Sequence, residues 1–203
     1  MNGSRLVSIT IAIGIVAAFA AWLTLQVLLP REAPLEELFP MPSFELTSEQ
    51  GKALSDQDLR GKVVVANFIF TRCPTVCPAL TARMAKIQKQ VLDDDGVHLL
   101  SFSVDPKHDT PEVLREFGAK YDQDPSRWTF LTGDLAEVMK AVEEGFRIGI
   151  TGADDPEATP FDIVHGEHFV LVDKAGTIRG YYPNCDLSLQ RLVRDAKRLA
   201  KEG

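Results

Sequence analysis

Apolar positions follow three patterns along this chain. The first is an unbroken run. From Leu6 to Leu29 no residue is charged, and Ile, Val, Ala, Leu, Phe and Trp fill most positions. About 20 such residues cross the hydrocarbon core of a bilayer as a helix. Pro30, Pro34, Pro40 and Pro42 then break any regular element, and residues 31–40 read as a tether. The second pattern is strand-like. Phe44-Glu45-Leu46-Thr47 alternates, and the apolar run Val63–Phe70 follows the punctuation of Gly61-Lys62. Continuous apolar character marks a strand buried on both faces. The third is helical. Leu80, Met84, Ile87 and Val91 recur at i, i+4, i+7 and i+11, the apolar face of a helix of about 15 residues.

The remaining elements alternate. Glu49-Gln50-Gly51-Lys52 is a turn, and Ser55 caps a short helical turn through Leu59. His98–Val104 is a second strand, ended by Asp105-Pro106. Thr110-Pro111 opens a helix, with Thr as the cap and Pro at its first position. Trp128–Leu131 reads as a short strand, and Leu135–Phe146 as a helix. Phe169–Asp173 and Thr177–Tyr182 form a hairpin across Lys174-Ala175-Gly176. Asp186 caps a last amphipathic helix through Leu189, Leu192, Val193, Ala196 and Leu199. The order ββ-α-β-α-β-α-ββ-α is α/β, and an early βαβ unit with a late ββα unit is thioredoxin-like.

Charge bears on the surroundings. The 203 residues carry 22 Lys+Arg and 29 Asp+Glu, a net charge of −7. That excludes nucleic acid as the main partner, which calls for a basic face. Arg5 and the α-amino group flank the apolar run on one side, and Arg31-Glu32-Ala33-Pro34-Leu35-Glu36-Glu37 is net negative on the other. The positive-inside rule places the N-terminus in the cytoplasm. A cleaved signal peptide is the rival, with Ala18-Phe19-Ala20 as its cleavage site. The apolar run continues about nine residues beyond Ala20, which favours a retained anchor. No cysteine precedes Cys73, which argues against a lipoprotein. The expected organisation is a membrane anchor at 1–30, a tether at 31–40 and a thioredoxin-like domain at 41–203. The domain is expected on the periplasmic side of a bacterial inner membrane, held by one span, where thiols can be oxidised.

The chemistry sits where the first strand meets the first long helix. Cys73 and Cys77 lie four residues apart, with Pro74 and Pro78 beside them, and Pro78 suits the first position of the following helix. A thiol at a helix N-terminus has its pKa lowered and is no inert core residue. The C-x-x-x-C spacing differs from the C-x-x-C of dithiol redox proteins and points toward a metal. Thiolates select Cu(I), and an added imidazole admits Cu(II). Of the four histidines, His98 and His108 read as surface residues. His165 precedes the late hairpin, in the loop where thioredoxins carry a cis-proline facing the cysteines. His168, three residues on, is expected to point away from His165. Cys185 is an odd third cysteine, read as a partly buried spectator. Asp105 and Asp109 read as turn and helix caps, with partner docking as the alternative.

Phe70-Thr71-Arg72-Cys73-Pro74-Thr75-Val76-Cys77-Pro78 resembles the F-T-x-C-P-x-x-C-P signature of the Sco/SenC copper-chaperone family. Ser103–Pro111 is similar to its S-V-D-P-x-x-D-T-P run, and Val164-His165 with Asp173 to its histidine element. The resemblance covers residues 40–200. It implies a membrane-tethered thioredoxin fold that binds one copper ion, Cu(I) or Cu(II), through Cys73, Cys77 and His165. It further implies help in assembling the dinuclear copper centre of cytochrome c oxidase. The partners would be the copper-acceptor subunit and an upstream copper donor or thiol reductant. Val164 and Gly166 depart from the family's Asp and Ser around the histidine, which alters the surroundings of the ligand and not the ligand set. The alternative is a thiol–disulfide oxidoreductase that reduces a copper acceptor's cysteines or acts in redox signalling. A peroxidase is set aside because no P-x-x-x-[ST]-x-x-C element is present.

Overall fold

The computed structural model describes residues 3–28, 33–91, 96–155 and 159–202. Contacts divide the chain into two units at Pro34 and Leu35. The first holds helix α1 (Gly3–Leu28). Of its side chains, those of residues 11–24 are described, and all are exposed. Among the described residues no helix is long and apolar enough to cross a membrane. Residues 29–32, where the expected span gives way to the tether, lie outside the described residues.

The second unit is built on one eight-stranded mixed sheet. Its strands are β1 (Phe39–Pro40), β2 (Glu45–Ser48), β3 (Ala53–Ser55), β4 (Val63–Ile69), β5 (Val97–Ser103), β6 (Trp128–Thr132), β9 (His168–Val172) and β10 (Thr177–Pro183). They run in the order β1-β10-β9-β4-β5-β6-β2-β3. Strands β7 (Ile150–Thr151) and β8 (Val164–His165) form a separate two-stranded ladder. β4 is central and buried at every position, as its unbroken apolar character requires. It pairs in parallel with β5, from Val63 opposite Val97 to Ile69 opposite Ser103. On its other side it pairs antiparallel with β9. β5 pairs in parallel with β6.

Helices α2 (Val76–Gln90) and α5 (Asp186–Lys201) pack on each other and on β4. Leu80, Met84 and Ile87 are the buried stripe of α2 that the periodicity predicts. α3 (Pro111–Ala119) packs against β6. Thr110 caps it by accepting from the Val113 N–H, with Pro111 at its start. The core holds contiguous rings: Phe102 lies 5.3 Å from Phe44, 5.7 Å from Phe68 and 5.2 Å from Phe146 between centroids.

Three local readings change. Pro78 is the third residue of α2, not the first. It is tolerated there because the first four N–H groups of a helix have no intrahelical acceptor. The expected helix at 135–146 is α only over α4 (Leu135–Met139) and widens into a π turn over Lys140–Gly145. A Cβ on Gly145 would lie 2.1 Å from Pro42 Cβ, so only glycine fits at this approach. Cys185, not Asp186, occupies the cap position of α5.

Candidate metal centre

Cys73 and Cys77 straddle the start of α2, just beyond the C-terminal end of β4. Cys77 is the second residue of the helix and is fully buried. Cys73 lies in the preceding loop, 7% exposed. His165 comes from β8, 8% exposed. The ladder places it: Ile150 pairs with His165, and the Gly166 N–H donates to the Gly149 carbonyl. The excursion from β7 to β8 turns at Gly152, with φ near 79° and a would-be Cβ only 2.4 Å from the Asp162 carbonyl oxygen. The Phe70 ring meets the His165 ring edge-on at 5.8 Å.

The structure joins Cys77 to His165. Cys77 Sγ lies 3.3 Å from His165 Nε2. His165 Nδ1 lies 3.2 Å from the Gly166 carbonyl oxygen. A carbonyl only accepts, so Nδ1 carries the proton and donates to it. Nε2 then presents its lone pair to the Cys77 thiol, which donates. Burial lowers the His165 pKa, against the opposing Gly166 carbonyl and Glu167, and so keeps the ring neutral, the form that ligates metal. Burial also pushes the Cys77 thiol far above its ordinary range, and Cys73 and Asp109 add to that. Cys73 behaves oppositely. Burial raises its pKa, but the N–H groups of Cys77 and Thr75 and the Thr75 hydroxyl outweigh it and set it below the ordinary thiol value. Those donors belong to the first turn of α2 and its approach, where the helix dipole favours a thiolate.

Cys73 and His165 line one cavity of about 210 Å³, with Phe70, Thr75 and Glu167. Its outer wall is apolar: Phe161 is 76% exposed, and Val164 is exposed too. The donor set suits a soft metal, with two sulfurs and a neutral imidazole. The three are not drawn together as a finished cage: among the described residues no three His, Cys, Asp or Glu side chains are grouped to hold a metal ion. All three cysteines are free thiols. The contact is made by Cys77 and His165, while the Cys73 sulfur lies 3.6 Å from Thr75 Oγ1.

The other candidates sort clearly. His168 begins β9 and is not part of the cavity wall. His98 is not a surface residue: it is buried in β5, with Nε2 3.0 Å from Thr129 Oγ1. β5 lies inside the sheet with α5 packed on it and is buried at every position, and so takes in the histidine near its start. His108 is partly exposed and pairs through Nδ1 with Asp105 at 2.8 Å. Cys185 is exposed, with its thiol 3.2 Å from Ser188 Oγ, because the cap position lies outside the packed face of α5.

Asp105 and Asp109 do more than cap. Both are buried. Asp109 accepts from the Thr71 N–H at 3.1 Å, from the Thr71 hydroxyl, and from the Ser103 hydroxyl at 2.6 Å. Asp105 accepts from Arg72 at 2.8 Å. Two parallel neighbouring strands end together, Ile69 beside Ser103, so the loops that follow them adjoin, a relation that the sheet register and not the local sequence fixes.

The chain matches the SCO1/SenC family over residues 34–201. It is similar to a solved SCO1/SenC family lipoprotein from Bacillus anthracis, at 38% identity and a TM-score of 0.74, covering 83% of this chain and 100% of that one. It is similar to BsSco, a member of the Sco family of cytochrome c oxidase assembly proteins in which a disulfide switch is described. That likeness is 28% identical with a TM-score of 0.72, over 85% of this chain and 100% of that one. A third neighbour is ScoI of Bradyrhizobium japonicum, solved with copper bound: 27% identity, TM-score 0.66, 80% of this chain and 99% of that one.

Proposed function

This chain belongs to the SCO1/SenC family, and we propose that it binds one copper ion through Cys73, Cys77 and His165 and delivers it during cytochrome c oxidase assembly. The observation that carries this reading is the 3.3 Å contact of Cys77 Sγ with His165 Nε2, with Cys73 on the wall of the same cavity. The imidazole is held neutral and oriented by the Gly166 carbonyl, so its free nitrogen needs no proton removed before it ligates. The two thiols must lose theirs, and metal binding releases these protons. Copper is cargo here. The exposed Phe161 and Val164 beside the site suit transient contact with an acceptor subunit. The proposed setting is a single span within residues 1–30, a tether, and the copper domain on the periplasmic side of a bacterial inner membrane.

A second reading rests on the asymmetry of the two thiols. Cys73 has its pKa lowered and lines the cavity, while Cys77 is buried and protonated. That is the arrangement of an attacking and a resolving thiol. Cys73 thiolate would attack an acceptor's disulfide and form a mixed disulfide. Cys77 would then displace the acceptor's sulfur, leaving the acceptor reduced and this chain oxidised by two electrons.

Anaerobic titration of residues 31–203, fully reduced, with Cu(I) decides between them. One copper per domain, with binding lost in Cys77→Ala and weakened in His165→Ala, supports the chaperone. Unchanged affinity in both variants sinks it.

A further inference from the structure

The thiol loop is gripped from below by two buried carboxylates, and the grip falls on one side only. Cys77 is fixed by α2 and by His165. Cys73 has neither constraint. It follows Thr71 and Arg72, and these are the two residues that Asp109 and Asp105 hold. Asp109 is fully buried and takes three donors: the Thr71 N–H at 3.1 Å, the Thr71 hydroxyl and the Ser103 hydroxyl at 2.6 Å. Ser103 ends β5, so the carboxylate ties the loop at Thr71 to the end of the sheet. The Ser103 hydroxyl also accepts from the Asp105 N–H at 3.1 Å, which ties the Asp105 backbone to the same hydroxyl. Cys73 Sγ lies 3.6 Å from Thr75 Oγ1 within the loop, so its place relative to Cys77 and His165 follows from where the loop is rooted. Thr71 is that root.

We propose that Asp109 is a positioning residue for the copper site: by fixing Thr71 to the end of β5, it sets where Cys73 stands relative to Cys77 and His165. This rests on the ligand reading above and adds to it a residue that touches no metal. Without the grip, Cys73 samples positions from which it meets Cys77 less often. Copper affinity and the stability of a Cys73–Cys77 disulfide then fall together, since both need the same approach.

The test uses the full chain and the variants Asp109→Asn, Asp109→Ala and Thr71→Val. Cu(I) affinity is read by competition with a chelator. The Cys73–Cys77 disulfide is read separately, in metal-free protein, against glutathione buffers. Loss of a residue that orients a ligand costs about 10–100-fold in metal affinity. Asp109→Ala is expected in that range, with Asp109→Asn recovering part of it because its carbonyl still accepts from the Thr71 N–H. Thr71→Val removes one of the three donors and gives a smaller loss. Added to Asp109→Ala it gives no further loss, because coupled partners are not additive. The proposal is overturned if Asp109→Ala folds and both readouts stay within threefold of the parent, or if the Asp109 and Thr71 losses simply add. If Asp109→Ala does not fold, Thr71→Val decides alone: both readouts at parental values overturn it. A parent chain that binds no copper defeats the ligand reading instead, and the metal-free disulfide readout still judges Asp109.

Discussion

Cys77 Sγ and His165 Nε2 stand 3.3 Å apart although 88 residues separate them in the chain. Gly166 fixes the histidine from the other side through Nδ1. The imidazole therefore meets the metal side of the site already turned and already neutral. Cys73 stands in the loop before α2, with its sulfur 3.6 Å from Thr75 Oγ1.

The first expectation follows from the unequal thiols. In a Cys185→Ser background at neutral pH, a small alkylating agent should modify Cys73 before Cys77, by on the order of tenfold or more, because the thiolate is the reactive form. Mass spectrometry of partly labelled protein reads the order directly. Cys77 labelled first would contradict the assigned roles.

Redox state should gate copper. A Cys73–Cys77 disulfide withdraws both sulfurs from the metal, so the oxidised protein should lose tight Cu(I) binding and regain it with reductant. His165→Ala should still form the disulfide while its copper affinity drops by at least about tenfold, since imidazole supplies a ligand and no redox chemistry. A variant that retains full copper affinity and supports oxidase assembly, with only thiol transfer depending on the cysteines, would favour the oxidoreductase.

Stability should fall in mild acid through His98. Burial, with Lys62 adding repulsion, lowers its pKa to about 4. The unfolded chain takes up this proton near pH 6.5 and the folded one only near pH 4. Nothing is lost above pH 6.5. As pH falls through that window the unfolded state binds more protons, and stability drops by about 3 kcal/mol in all. Thermal unfolding at a series of pH values should show a weaker slope between pH 6.5 and 4 in His98→Gln than in the parent. Equal slopes would remove His98 from the account.

The N-terminal unit should hold the protein in the membrane. Carbonate extraction should leave the full chain in the pellet, and a chain begun at residue 31 should appear in the supernatant. Mature protein starting near Ala21 would show that the apolar run is a cleaved signal.

Local pattern alone settled the α/β class and the cysteine positions. β4 declares itself because a strand covered on both faces must be apolar throughout. The stripe of α2 declares itself through its 3.6-residue period. The Thr110–Pro111 cap is legible for the same reason, since each acts within one turn of chain. What the tertiary structure decided lies between residues far apart. Strands β7 and β8 are two residues each, too short to show a period, yet their pairing aims His165. The grip of Asp109 on Thr71 spans 38 residues and depends on β4 and β5 ending in register. His98 is buried only because β5 lies inside the sheet with α5 packed on it. Cys185 is exposed only because α5 turns its other face to the sheet. Hydrophobic period and turn chemistry act over a few residues, whereas the placement of a polar side chain depends on which strand end or loop the fold brings beside it.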